Sequence, residues 1–507
     1  MRSKAFLFWF LPIFVALWAI ANLLVLQTWP NILAFGDEAW FSDVAWRFAR
    51  SLRLANTIFP FTSFEKGLGV PAETIYYGVL AAFFRALGPG LFQARLLSLI
   101  SATSAILILG YRLRDNMAWI PVALSPSLLL ASHTARPEAL GLMLILTCIL
   151  SALSDSWVIL ALLCGASAFI SPIVGFWAGS AFLAWLVLPG LWRKKLWASG
   201  LLLLSFLAWL GITALISGPW LLIPEVSESY YVPVLRSANP IFLLKAILKK
   251  TYWPHILGFR DPIITLMFAV GLISIPVRRF RLQKEDNFAW LFLVFGIILS
   301  GLGISRTPDY YLVYLLPPAV LLGSLALKHL RTAHSALITS AIALAGLGKT
   351  ILCVVALLAS DPPSRLTALR ENIPQDAVVI GPANLWYVLY DRKLAVPFFG
   401  RFTNREEFLA LVDSISPELA IFYDSDTSGW LWERVSEPEP VKVIPFRGYM
   451  ISGASGSPVP VQEIRLYRLR CGAAEGTKQD DAPSIHGRSA LAPTPWPSST
   501  LSETESP

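Results

Sequence analysis

Charge is what this chain has least of. Of its 507 residues, 15% are charged and 55% are hydrophobic. Soluble domains carry about 25% charged residues, so most of the chain is not a soluble globular protein. Cysteine is nearly as scarce. Cys148, Cys164 and Cys353 lie in apolar runs and Cys471 in the tail, with no CxxC or zinc-ligand spacing among them. That excludes a disulfide framework, and it gives no basis for thiol chemistry. No internal repeat is visible. The net charge of +8 is not gathered into a basic patch but sits mostly in short segments between apolar runs, which argues against a nucleic-acid partner.

What is abundant is apolar sequence in membrane-length pieces. Mean hydropathy is +0.60, and 19 Trp and 30 Phe suit a protein with long membrane interfaces. Apolar runs fall at 5–28, 91–111, 116–132, 138–154, 157–171, 173–191, 196–217, 262–277, 287–304, 311–327 and 335–359, about eleven spans. The first follows Arg2 and Lys4 like a signal peptide but lacks a small-residue cleavage site, so it reads as a retained span. With the N-terminus cytoplasmic, five basic segments fall inside: Arg2/Lys4, Arg112/Arg114, Arg193–Lys195, Arg278–Lys284 and Lys328/Arg331. The same rule puts 29–90, 218–261 and everything after residue 360 outside.

The stretch 36–53, GDEAWFSDVAWRFARSLR, is the most informative. Phe41, Val44, Phe48 and Leu52 recur at helical spacing, and Asp43, Arg47 and Arg50 share another face, with Asp43 and Arg47 an i,i+4 pair. This predicts an amphipathic helix lying on the outer membrane surface with Asp37 and Glu38 at its start. Those acids have a structural alternative as an N-cap and a first-turn acid. Acids beside a bilayer are costly and usually functional, which favours a site. A turn-rich piece at 59–71 follows, then an amphipathic helix at 72–87, placed at the outer interface.

Other outer features point the same way. The first loop is basic (Arg47, Arg50, Arg53, Lys66, Arg85, Arg95), against the orientation bias; an anionic lipid head group explains the set, and snorkelling explains any one member. The connection at 132–138 packs His133, Arg136 and Glu138 around Pro137, which fixes helix entry. Residues 241–252 can form a basic amphipathic helix, either a flap over a site or an interfacial anchor. Arg306 precedes Tyr310, Tyr311 and Tyr314; an arginine and a tyrosine hydroxyl can bind phosphate oxygen, while belt anchoring is the tyrosine alternative.

After residue 360 the composition becomes that of a small soluble α/β domain, 361–470, with strands at 377–380, 419–423 and 463–469 and a helix at 405–414. It shows no nucleophile elbow, metal spacing or phosphate loop. The Ser/Pro/Ala/Thr-rich segment 471–507 reads as a disordered tail.

The order of these features resembles the integral-membrane glycosyltransferases of GT-C fold that use a polyprenyl-phosphate-linked sugar, such as the protein O-mannosyltransferases and bacterial aminoarabinose transferases. Five pieces carry the resemblance: Gly36-Asp37-Glu38-Ala39-Trp40, Tyr76-Tyr77-Gly78, Ala94-Arg95-Leu96-Leu97-Ser98, Arg136-Pro137-Glu138, and Tyr310-Tyr311-Leu312 with Leu316-Pro317-Pro318. It covers about the first 330 residues, as well as the habit of ending in a soluble outer domain. The family's Lys-Pro-Pro-Leu-like run is missing, and Phe64-Glu65-Lys66-Gly67 lies further upstream. The resemblance implies a GT-C-like domain over 1–360 in a bacterial inner membrane, with an extracytoplasmic site. Asp37 would match the leading acid, Glu138 the second.

Glycosyl transfer from a lipid phosphate needs a base for the acceptor's proton and a cation for the leaving phosphate. Asp37 is expected to be the base, with Glu38 or Glu138 orienting the acceptor or a metal. Lys66, Arg136, Arg306, Tyr310 and Tyr311 are the expected phosphate ligands. The outer acids could hold Mg2+ or Mn2+ through oxygen, and a metal-free acid–base mechanism fits equally well. The expected partners are a polyprenyl-phosphate sugar, an extracytoplasmic acceptor and membrane lipid. The competing class is a transporter or lipid-linked-sugar translocase, which would show ionisable residues at mid-bilayer and repeated halves.

Overall fold

The computed structural model describes residues 2–26, 37–52, 54, 73–113, 117–217, 256, 259–273, 284–303, 309–328, 330, 332–358, 361, 366–396, 405–423, 430–451 and 458–470. The expected turn piece at 59–71, the basic helix at 241–252 and the tail at 471–507 lie outside these residues.

Apolar runs become helices where expected. In chain order these are α1 (Arg2–Val25), α2 (Asp37–Ser51), α3 (Thr74–Leu87), α4 (Leu91–Arg112), α5 (Trp119–Ala123), α6 (Pro126–Ser132), α7 (Glu138–Leu153), α8 (Trp157–Ser167), α9 (Pro172–Val187) and α10 (Trp192–Ser217). Next come α11 (Pro262–Ile273), α12 (Lys284–Gly303), a 3-10 turn (Asp309–Leu315), α13 (Leu316–Lys328) and α14 (Thr332–Leu358). Three helices among the described residues are long and apolar enough to cross a membrane: Leu91–Arg112, Trp192–Ile216 and Tyr311–Lys328.

The expected span at 116–132 is in fact two short helices. Pro126 cannot donate its backbone nitrogen, and the Ser125 hydroxyl caps α6 by accepting from Leu128 N at 3.3 Å. Asp261, at the head of α11, braces this break. Its carboxylate accepts from Ser125 Oγ at 2.5 Å, Ser127 N at 3.0 Å and Ile263 N at 2.9 Å. One buried carboxylate thus satisfies amides at two helix starts.

Core packing is dense. Trp177 on α9 meets Phe292 on α12 edge-on at 5.4 Å, a closeness that depends on Gly296, where a Cβ would collide with the indole. Helix α13 is buried along nearly its whole length. Helix α10, by contrast, leaves Leu203, Leu204, Leu207 and Leu215 exposed, an apolar surface suited to lipid.

The C-terminal part contains α15 (Thr367–Glu371), β1 (Val378–Ile380), α16 (Trp386–Leu389), β2 (Lys393–Ala395), α17 (Arg405–Ile415), β3 (Leu419–Tyr423), β4 (Lys442–Ile451) and β5 (Pro458–Arg468). The sheet order is β2-β1-β3-β5-β4. Strand β1 runs parallel to β2 and β3, while β5 is antiparallel to both β3 and β4. Three strands and the helix at 405–415 lie where the sequence put them; β2 and β4 were not expected. Strand β2 is only three residues long, and β4 carries a register shift between Pro445 and Gly448 that breaks its alternation.

One expectation needs correcting. Helix α2 does not present the whole of its polar face to solvent: Asp43 is covered, while Arg47 is half-buried and Arg50 exposed. Val44 and Ala45 are buried, and so is Asp43 at 2% exposure, because α3 covers one side and α16 another. Leu52, expected in the apolar stripe, is 64% exposed, since the helix ends at Ser51 and Leu52 turns left-handed with φ 55°.

The Asp261 brace yields a prediction. Asp261→Ala strips acceptors from several buried donors and should cost about 2–4 kcal/mol. It is expected to lower the thermal midpoint in detergent, whereas an exposed substitution such as Leu204→Ala should leave it unchanged.

Candidate active site

Two ion pairs meet at the start of α2. Glu38, on the first turn, faces Arg95, one turn into α4. The contact is bidentate: Arg95 Nε donates to Oε1 at 3.1 Å and Nη2 to Oε2 at 2.9 Å. Glu38 Oε1 also accepts from Ala135 N at 2.6 Å, in the tight connection between α6 and α7. Arg95 is 2% exposed. A buried guanidinium of this kind is tolerated only with such a planar partner.

The second pair lies in that same connection. Arg136 Nε and Nη2 donate to Glu138 Oε1 at 3.2 and 3.1 Å, and the Arg136 guanidinium stands 5.5 Å over the Phe41 ring of α2. Glu138 is the first residue of α7, where the helix dipole favours a carboxylate. The connection is held by Ser98 Oγ, which donates to Thr134 O at 2.6 Å. Pro137 sets the entry angle into α7, as its position in the sequence suggested.

Around these pairs are hydroxyls and one imidazole. Tyr76 on α3 meets Phe41 edge-on at 5.5 Å. It is fully buried, and its hydroxyl has no hydrogen-bond partner. Burial first, then Tyr387, Glu138 and Glu38, push it well above its usual value, so it stays protonated. His133 rests its Nδ1 against Leu129 O at 3.0 Å and Ser132 Oγ at 2.9 Å, while its Nε2 has no partner. Burial pushes the imidazole down to about 4, so it is neutral near pH 7.

The C-terminal part reaches the same place. Tyr387 on α16 donates to the Glu38 backbone carbonyl at 3.0 Å and accepts from Ser42 Oγ at 2.8 Å. Trp386 Nε1 donates to Asp43 Oδ1 at 3.1 Å. Asp43 also carries its expected i,i+4 pair with Arg47 at 3.3 Å.

Of the residues singled out in the sequence, Glu38, Arg136 and Glu138 come together. Asp37 begins α2, beside Glu38, but its side chain lies outside the described residues. Lys66 and Arg306 lie outside them entirely, as does the side chain of Tyr310. Tyr311 is half-buried, its ring 6.2 Å from Tyr314. Sequence reasoning missed Arg95 as the partner of Glu38, and it missed Tyr387 and Trp386 altogether. Arg95, grouped in the sequence with the outer cations for a lipid head group, is instead buried against Glu38; the other two carried no signal.

The charges of the pairs cancel. Glu38 and Glu138, the acids expected to orient the acceptor or a metal, each lie against an arginine in this structure. Among the described residues no three His, Cys, Asp or Glu side chains converge as metal ligands.

The architecture can be compared with known proteins. The chain superposes on the crystal structure of ArnT from Cupriavidus metallidurans bound to undecaprenyl phosphate with TM-score 0.58 and 14% identity, covering 93% of this chain and 99% of that one. Against the apo state of ArnT the TM-score is 0.56 at 13% identity, covering 90% and 97%. The fold is thus that of ArnT, the GT-C fold, over nearly the whole of both chains. No protein family and no curated protein matches the sequence.

The Glu38–Arg95 pair can be tested for stability. Arg95→Met leaves a buried carboxylate alone and should cost about 3–5 kcal/mol. Combining it with Glu38→Leu should recover part of that loss in thermal unfolding. A double variant no better than Arg95→Met would show that the charges do not depend on one another.

Proposed function

We propose that this protein is a membrane glycosyltransferase that moves a sugar from a polyprenyl-phosphate donor to an extracytoplasmic acceptor. The observation that carries the proposal is the shared fold with ArnT at 93% and 99% coverage, ArnT being a protein whose structure holds undecaprenyl phosphate. The cluster at the start of α2 lies where the sequence resemblance puts the reaction. The eleven-span topology belongs to the same proposal: N-terminus cytoplasmic, C-terminal part outside, in a bacterial inner membrane.

The chemistry follows from balance of bonds. An acceptor hydroxyl attacks the anomeric carbon, the bond from that carbon to the phosphate oxygen breaks, and polyprenyl phosphate leaves with the electron pair. Asp37 takes the acceptor's proton, and the configuration inverts. Glu38 is already engaged, its Oε1 accepting from Arg95 Nε and Ala135 N. Glu138, bound to Arg136, orients the acceptor.

Because Arg95 and Arg136 are balanced by carboxylates, they add little net charge for the leaving phosphate. Lys66 and Arg306 are the cations proposed for that work, assisted by Tyr310 and Tyr311. Tyr76 joins them as a buried hydroxyl with hydrogen-bonding capacity to spare for a substrate oxygen.

Purified protein in lipid, supplied with polyprenyl-phosphate sugars labelled in the sugar and a membrane extract as acceptor, tests the proposal. Wild type should transfer label, and Asp37→Asn should lose about 100-fold or more in rate while remaining folded. Normal rates in Asp37→Asn would overturn the assignment of the base. Labelled lipid crossing the bilayer without transfer would point to a translocase. On the same assay Tyr76→Phe should lower transfer about tenfold.

A further inference from the structure

The C-terminal part touches α2 with polar atoms, and it does so at its first turns. Tyr387 donates to the backbone carbonyl of Glu38, one residue after Asp37, and receives the hydroxyl proton of Ser42 at 2.8 Å. These groups are more than 340 residues apart in sequence, all are buried, and the hydrogen-bond chain runs Ser42 to Tyr387 to Glu38. One turn along, Trp386 closes the buried Asp43 carboxylate. Further along, Tyr390 meets Trp46 edge-on at 6.2 Å.

The presenting element also has a particular origin. Helix α16 follows the carboxyl end of β1, a strand with parallel neighbours on both sides. In open α/β sheets that end is where binding groups are placed. Here it is applied to another part of the same chain. Packing alone would need only the rings; the Tyr387 hydroxyl adds a second donor to a helix carbonyl whose direction sets the first turn. Burial, followed by the Glu38 charge, holds that hydroxyl protonated and so always a donor.

We infer that Tyr387 is a positioning residue for the reaction: with Ser42 and Trp386 it fixes the first turn of α2, the turn that begins at Asp37 and carries the Glu38 carboxylate. The C-terminal part is then a component of the active site rather than an appendage beside it. This rests on the glycosyltransferase reading for its effect on rate, but not for the clamp itself.

The test uses the full chain in lipid, with Tyr387→Phe and Ser42→Ala cutting the same link from its two sides. Each should lower kcat about tenfold and leave the KM for the polyprenyl-phosphate sugar within about twofold, because neither Tyr387 nor Ser42 is among the proposed phosphate ligands. The double variant should be no worse than the more affected single one. Amide exchange should quicken at 38–42 and nowhere else. Unchanged kcat in both variants, or exchange that rises throughout the chain, would overturn the inference. If wild type transfers no label, the glycosyltransferase reading fails and exchange alone decides: acceleration confined to 38–42 sustains the clamp, and unchanged exchange removes it.

Discussion

A carboxylate and a guanidinium buried together, Glu38 and Arg95, are the contact on which the rest of the candidate site depends. Neither could be buried alone without a cost of several kcal/mol. Their union forces α2 against α4, and the spare capacity of Glu38 Oε1 draws in the Ala135 amide and with it the α6–α7 connection. That connection carries Arg136 and Glu138, so the second pair is delivered by the geometry of the first. The resulting cluster is neutral and needs no counter-ion. In the proposed reaction the charge for the leaving phosphate therefore comes from other cations, while the cluster holds α2, α4 and the α6–α7 connection together.

Helix α4 also links this cluster to a second polar group at its far end. Arg112, in its last turn, pairs with Glu285 on α12 at 2.5 Å, and Lys328 at the end of α13 reaches the same carboxylate at 3.4 Å. From Arg95 to Arg112 is 17 residues, about 25 Å of helix. That is close to the hydrocarbon thickness of about 30 Å. The two clusters lie at opposite ends of α4, separated by its apolar middle.

How much was legible varied with the range of the interaction that decides it. The helices were visible because apolar length is a local property. The tight turn at Arg136-Pro137-Glu138 was visible because its three residues are consecutive. Most of the sheet was visible from alternation; β2 was not, since three residues carry no period. The covering of α2 was not legible: Asp43, Arg47 and Arg50 do share a face, but sequence spacing cannot show that Trp386 will cover Asp43. The pairing of Arg95 with Glu38 and the reach of Tyr387 are tertiary facts with no local trace. They are also the ones that turn a list of acids into a site.

The central claim is that the start of α2 is where a polyprenyl phosphate meets this protein. Its most direct test is a cryo-EM structure in nanodiscs containing undecaprenyl phosphate. The account predicts phosphate density beside the first turn of α2, with the Glu38–Arg95 pair intact and the Tyr76 hydroxyl turned toward the ligand. Phosphate bound instead at the Arg112–Lys328 end, with nothing near α2, would contradict it.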